Sequence, residues 1–163
     1  MTIIGFTGAR EVTPMQRLYI RAVLRHLPAD TYVTGACTGV DEVIARAVAE
    51  YYPDARNLIV VPSGRSYVSH AFLVDMARAG ATINLMAPGT TYKDRNQVIV
   101  DQSQRLVGFP AFAEGHDKGQ TSGTWPTIRM ARRAFVAGLH IEEPDVRILT
   151  ELVPATGVRR EDA

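Results

Sequence analysis

The chain is short of several things, and each shortage closes off a class of protein. Among its 163 residues there is one cysteine, Cys37, and no Cys/His spacing resembles a zinc site. No disulfide can form within the chain, and neither metal nor other cofactor is expected. A lone thiol fits a reducing cytoplasm. No stretch approaches the ~18 apolar residues of a membrane span, and the first residues lack the basic and apolar segments of a secretory leader. A cytoplasmic protein with no membrane partner is the expectation. An excess of one charge is missing as well, since the formal net charge is +1. Proteins that live on a phosphate backbone usually carry a basic face, so this balance weakens a nucleic-acid reading while leaving room for local patches.

What is present suits a soluble domain with a substantial core: hydrophobic residues make up 46% and charged residues 21%. Residues 1–153 read as a single domain, and 154–163 as a tail that frays. The rest of the chain lines up against Val33-Thr34-Gly35-Ala36-Cys37-Thr38-Gly39-Val40-Asp41, a strand end that breaks into a glycine-bracketed turn and starts a helix. Val40, Val43, Ile44, Ala47, Val48 and Tyr51 then recur at helical spacing. Such a junction aims several backbone N–H groups at one spot and adds the positive end of a helix dipole, which suits a phosphate or carboxylate. The plainer alternative is a tight connection whose glycines only satisfy turn geometry.

Before that turn, Ile3, Ile4 and Phe6 form a short strand ending in Thr7-Gly8-Ala9-Arg10, and Thr13-Pro14-Met15-Gln16 carries the capping signals of a helix start. Met15, Leu18, Tyr19, Ala22, Val23 and Leu27 are its expected buried stripe. Further on, 57–61 and 81–86 read as strands, with a helix over 68–79 between them. Asp94 is placed to cap a helix from Arg95 to about Ser103, and 105–109 is a fifth strand. The polar, glycine-rich segment 110–121 is the expected mobile lid. A last helix from Thr124 to Pro126 onward turns Ile128, Ala131, Phe135 and Leu139 inward, and 146–149 adds an edge strand. Alternating elements of this kind predict an α/β fold, a Rossmann-like three-layer sandwich around a mostly parallel, doubly wound sheet of five to six strands. Ligands of such sheets sit outside the carboxyl ends of the strands, where the strand order reverses.

Three further stretches gather at that rim. Thr7-Gly8-Ala9-Arg10 offers a tight turn and a guanidinium for an anionic oxygen. In Tyr92-Lys93-Asp94-Arg95-Asn96, cations at a helix start oppose the dipole, which a bound anion would explain. Thr121-Ser122-Gly123-Thr124-Trp125-Pro126-Thr127 has more hydroxyls than capping requires. Trp125, Tyr67 and Tyr92 are alternative stacking surfaces or ordinary packed aromatics. Cys37 reads as a plain small residue, and His116 is the one histidine near the expected site.

These four stretches, in this order, resemble the SLOG superfamily of Rossmann-like proteins, which includes the DNA-processing protein A family, the LOG phosphoribohydrolases and the YpsA-like proteins. The YpsA-like branch is the most similar: Thr7-Gly8-Ala9-Arg10 against its TGxR opening, Gly35 to Asp41 against GGAxGxD, Arg95-Asn96 with Val100-Asp101 against RNxxxVD, and Ser122-Gly123-Thr124 against GGT. The resemblance implies a phosphate-binding loop, a pocket for a nucleotide or nucleotide-derived small molecule, and a homodimer. The catalytic Glu of the LOG enzymes is replaced here by Thr127 or Pro126, leaving Asp41 and Asp101 as the candidate catalytic carboxylates. The SGSxxTxxxA and RNRxI motifs of the DNA-processing family match Ser122 to Thr127 with Ala131, and Arg95 to Ile99. Two cations of that family are absent, at Thr38 and Gln97, which argues against a long polyanion.

The expectation is therefore a small-nucleotide binder acting as a sensor or sequestering protein. An N-glycosidic enzyme (phosphoribohydrolase or deoxyribosyltransferase-like) and a single-stranded DNA binder are the alternatives. Gly8, Gly35, Gly39 and Gly123 are assigned to close backbone approach, and Arg10 and Arg95 to the phosphate. Asn96, Ser122 and Thr124 make polar contacts, and Thr7, Ala36, Thr38 and Asp41 complete the ligand-binding set.

Overall fold

Thr13 starts the first helix as its chemistry dictates: its hydroxyl accepts from the Gln16 N–H at 3.1 Å, and the Gln16 side chain returns to accept from the Thr13 N–H at 3.0 Å. The computed structural model describes residues 1–53, 58–62, 69–116 and 123–152. Strands β1 (Ile3–Gly8), β2 (Thr31–Gly35), β3 (Leu58–Val61), β4 (Thr82–Ile83), β5 (Arg105–Phe109) and β6 (Asp145–Val146) form one sheet in the order β4-β3-β2-β1-β5-β6. Every neighbouring pair is parallel. The helices are α1 (Pro14–Leu24), α2 (Val40–Tyr51), α3 (His70–Arg78), α4 (Tyr92–Gln102), α5 (Thr124–Val136) and the short α6 (Leu149–Leu152). None of the described helices is long and apolar enough to cross a membrane.

Strand alternation divides the core into two layers. Phe6, Tyr32, Val60 and Val107 pack with α1, α2 and α3, whereas Val33, Val61 and Leu106 pack with α4 and α5. This is the expected Rossmann-like sandwich. The order reverses beside β1, which has β2 on one side and β5 on the other. On the α4/α5 face those two central strands carry Gly5 and Gly108, where a Cβ would strike Ser103 and Ile128. Missing side chains there let both helices settle close to the sheet, directly below the switch point.

Several boundaries differ from expectation. In α1 the buried line is Gln16, Ile20, Val23 and Leu24, followed by Leu27, while Met15 and Leu18 are 47% and 62% exposed. Periodicity is right but its phase is rotated, because the capping bond turns the Gln16 amide inward and satisfies it. β4 is only two residues long, and α4 begins at Tyr92 rather than Arg95. Phe135 shares the helical phase of buried Ile128 and Ala131 yet is exposed, so the covering layer ends there rather than turning. The edge strand lies at Asp145–Val146, ahead of the expected 146–149, and Leu149 opens α6 with a buried side chain. Asn57, Val68 and the tail beyond 153 lie outside the described residues.

The rotated phase of α1 has a direct test. Ile20 is fully buried, so Ile20→Ala is expected to cost about 2–5 kcal/mol in urea unfolding, and Leu18→Ala about 0.5 kcal/mol or less. The reverse ranking would restore the stripe expected from the apolar pattern alone.

Candidate functional site

A cavity of about 330 Å³ opens at the carboxyl ends of the central strands. Thr7, Gly8 and Arg10 supply it from the end of β1, Cys37 from the turn after β2, and Asp41 from the first turn of α2. Tyr92, Lys93, Arg95, Asn96 and Ile99 line it from α4. From α5 and the residue before it come Gly123, Thr124, Pro126, Arg129, Met130 and Arg133. Loops after β1, β2, β4 and β5 thus meet at one rim.

Of the residues singled out in the sequence, Thr7, Gly8, Arg10, Asp41, Arg95, Asn96, Gly123 and Thr124 face the cavity. Gly35, Ala36, Thr38 and Gly39 do not line it, and Ser122 and Tyr67 lie outside the described residues. Asp101 is exposed on α4 and accepts from the Gln97 side chain at 2.8 Å, so it is not a carboxylate of this crevice. The described half of the expected lid, 110–116, is fastened down: Leu149 N–H donates to Pro110 O at 2.8 Å, and Trp125 Nε1 donates to Phe112 O at 2.9 Å. Trp125 is consequently buried and is not a stacking surface. His116 is exposed and does not reach the cavity.

The glycines, assigned to ligand approach, are required by protein neighbours. A Cβ on Gly8 would meet the Val40 side chain, one on Gly123 the Asn96 amide, and one on Gly39 the backbone of Ala9 and Arg10. Gly39 also has φ 88, a conformation that L side chains rarely adopt. The first donor of α2, Val40 N–H, is spent on Ala9 O at 2.9 Å. The turn between β2 and α2 is therefore locked onto the loop after β1 instead of presenting an open anion nest.

Arg95 also differs from its expected role. Thr91 caps α4, its hydroxyl accepting from Asp94 N–H at 3.2 Å while Asp94 accepts from Thr91 N–H at 2.9 Å. Those bonds hold the Asp94 carboxyl below its ordinary range, so the helix start already has its anion. Arg95 falls in the next turn, is 5% exposed, and points inward. Its Nε donates to Asn96 Oδ1 at 2.8 Å, Nη1 to Val61 O at 3.4 Å and Nη2 to Cys37 Sγ at 3.5 Å. Asp41 faces it across Gly35, accepting from Cys37 N–H at 3.1 Å and Thr34 Oγ1 at 3.4 Å. Burial pushes the Asp41 carboxyl above its ordinary range, against the pull of Arg95 and of these donors.

The outer rim is cationic. Arg10, Lys93, Arg129 and Arg133 are exposed on it, and among the described residues Asp41 is the one carboxylate lining the cavity. Tyr92 stands between the guanidiniums of Arg10 and Arg95, 5.0 Å and 5.3 Å from its ring centre. Arg129 and Arg133 escaped the sequence reading because an exposed i, i+4 pair of arginines looks like an ordinary solvated helix face.

No protein-family model matches the chain, and no curated protein is significantly similar to it. Among solved structures, it is similar to DNA processing protein A from Helicobacter pylori, a protein with a single-stranded DNA binding mode. There the TM-score is 0.57 at 17% identity, over 81% of this chain and 61% of that one. DNA processing protein A from Streptococcus pneumoniae gives a TM-score of 0.61 at 17% identity, over 82% of this chain and 47% of that one. The shared property is the fold, and the chain spans about half to three-fifths of the length of these proteins.

Asp41 gives the site a pH signature. Its folded-state pKa lies above the ordinary 3.8, so the folded protein holds that proton more tightly than the unfolded chain does. Its contribution to stability therefore falls as pH rises from 3.8 through the raised value, and is constant above it. Asp41→Asn keeps an oxygen for the Cys37 N–H and lacks this dependence. Urea unfolding from about pH 4 to about pH 7 should show the variant gaining on the parent and then levelling. A constant difference would mean that Asp41 enters the fold with ordinary acidity.

Proposed function

We propose that the crevice binds single-stranded nucleic acid, taking one nucleotide into the cavity and holding its neighbours on the cationic rim. The observation that carries this reading is the convergence of Arg10, Lys93, Arg129 and Arg133, turned to solvent around one cavity beside an aromatic ring. One phosphate needs fewer cations. A strand uses several, and Arg10 moving from the Tyr92 ring to a phosphate would free that π-face for a base. The fold it shares with a single-stranded DNA binder supports the reading. The two cations that the DNA-processing motif has and this chain lacks fall outside the crevice lining, at Thr38 and Gln97. Their absence leaves the rim intact.

A second reading, a free nucleotide or nucleotide derivative held by a sensor or sequestering protein of the YpsA-like kind, draws on the cavity itself. Its 330 Å³ is at the lower end of small-molecule pockets. An N-glycosidic enzyme is less well supported. Thr127, which replaces the LOG carboxylate, is buried with its hydroxyl donating to Gly123 O at 2.6 Å, and both Asp41 oxygens already accept protein donors. A homodimer, a cytoplasmic location and a single domain over 1–153 belong to the same proposal, and sedimentation checks the first.

Fluorescence anisotropy with oligothymidylate, repeated over a range of salt, separates the readings. Strand binding should weaken with salt at a log–log slope of about −0.7 per phosphate contacted, and Arg10→Ala should flatten that slope by about 0.7. Tyr92→Ala should cost about 1–3 kcal/mol if a base stacks there. Tight binding of thymidine 5′-monophosphate with none of the oligonucleotide would favour the free-nucleotide reading and end the first.

A further inference from the structure

Beside the crevice, α5 turns a second pair of arginines toward one carboxylate. Arg129 Nη1 lies 3.1 Å from Glu114 Oε2, and Arg132 Nη1 lies 3.0 Å from Glu114 Oε1. Each oxygen thus takes one guanidinium, the arrangement by which two arginines also clasp a phosphate. Glu114 stands on the segment after β5, held against α5 by the bond from Trp125 Nε1 to Phe112 O. Arg132 lies over the Trp125 ring, 5.5 Å from its centre, which fixes the direction of its fork. All three charged side chains are 40–45% exposed, so the cluster is open to a solvent-borne competitor. Arg129 belongs to both the cluster and the cavity lining, so the two regions are continuous.

Nothing in the fold demands this carboxylate. The segment is already anchored through Phe112, Pro110 and Ala111, whose carbonyls accept from Trp125, Leu149 and Thr150. Two arginines drawn to one surface carboxylate hold it below its ordinary range, as they would a phosphate. Exposed pairs of this kind are weak and exchange readily.

We propose that Arg129 and Arg132 form a second phosphate subsite and that Glu114 occupies it until a backbone phosphate of the bound strand displaces it. The inference rests on the strand-binding reading above and adds the position of the neighbouring phosphate. It has a consequence for salt dependence. The slope is set by the cations that the contacted phosphates shed, so displacement of Glu114 weakens binding and leaves the slope of the bound strand unchanged.

The test uses the full chain, oligothymidylate of about ten nucleotides and thymidine 5′-monophosphate. Glu114→Gln should tighten oligonucleotide binding roughly three- to tenfold, the scale of two exposed ion pairs. The log–log salt slope should stay that of the parent, because both make the same phosphate contacts. Mononucleotide binding should not change. Adding Arg132→Ala to Glu114→Gln should remove the gain, and both substitutions lie on the surface, where the fold is checked by circular dichroism. Equal affinity in Glu114→Gln and the parent, or a steeper slope in the variant, with the slope still flattened in Arg10→Ala, would overturn the subsite and leave the strand-binding reading standing. The same gain for the mononucleotide would overturn it too, since the subsite would then not be a separate one. If the parent and Glu114→Gln both fail to bind oligonucleotide at any salt, the subsite and the strand-binding reading fall together.

Discussion

A positive charge held inside the protein sets the shape of the crevice. The guanidinium of Arg95 has left water almost completely, and an ion in that position is tolerated only when its hydrogen bonds are met and opposite charge lies near. Compensation comes from three places: Asn96 on its own helix, the Val61 carbonyl at the end of β3, and Cys37 in the turn after β2. Asp41 answers it across Gly35 and in turn gathers Cys37 and Thr34. One wall of the cavity is therefore a single electrostatic unit assembled from α4, β2, β3 and α2. Tyr92, between Arg95 and Arg10, joins that buried unit to the cations in solvent.

This arrangement alters what the glycine motifs mean. Gly8 makes room for Val40, Gly39 for the backbone of Ala9 and Arg10, Gly35 for Arg95 and Asp41, and Gly123 for Asn96. Each pairs one loop of the rim with another. The motifs by which the chain resembles the SLOG superfamily are therefore, in the first instance, instructions for bringing four loops together. Chemistry specific to a ligand falls to the residues between and beside them, such as Arg10, Tyr92 and the arginines of α5.

Much of the fold was legible because apolar runs and capping residues are local signals. The strand at Ile3, the start of α1 at Thr13 and the inward face of α2 follow directly from residue type and spacing. Other features depend on what a residue meets, and the sequence carries no such record. Met15 and Leu18 are as apolar as Ile20 and Leu24, so periodicity alone leaves the phase of α1 open. Thr91 and Asp94 are both capping residues three apart, and only the reciprocal bond identifies which is the cap. Arg95 and Arg10 look alike as letters, yet one is buried scaffolding and the other faces solvent. Asp41 and Asp101 look alike too, and the turn of α4 carries the second away from the cavity.

Both margins of the sheet are two-residue strands, Thr82–Ile83 and Asp145–Val146. The longer strands β1 and β2 lie in the interior, each paired on both sides. Among the described residues, a strand from another molecule seeking a ladder to extend meets an edge strand of two residues at either border, one of them carrying the charge of Asp145. The brevity of β4 and β6 thus guards the molecule against amyloid-like stacking.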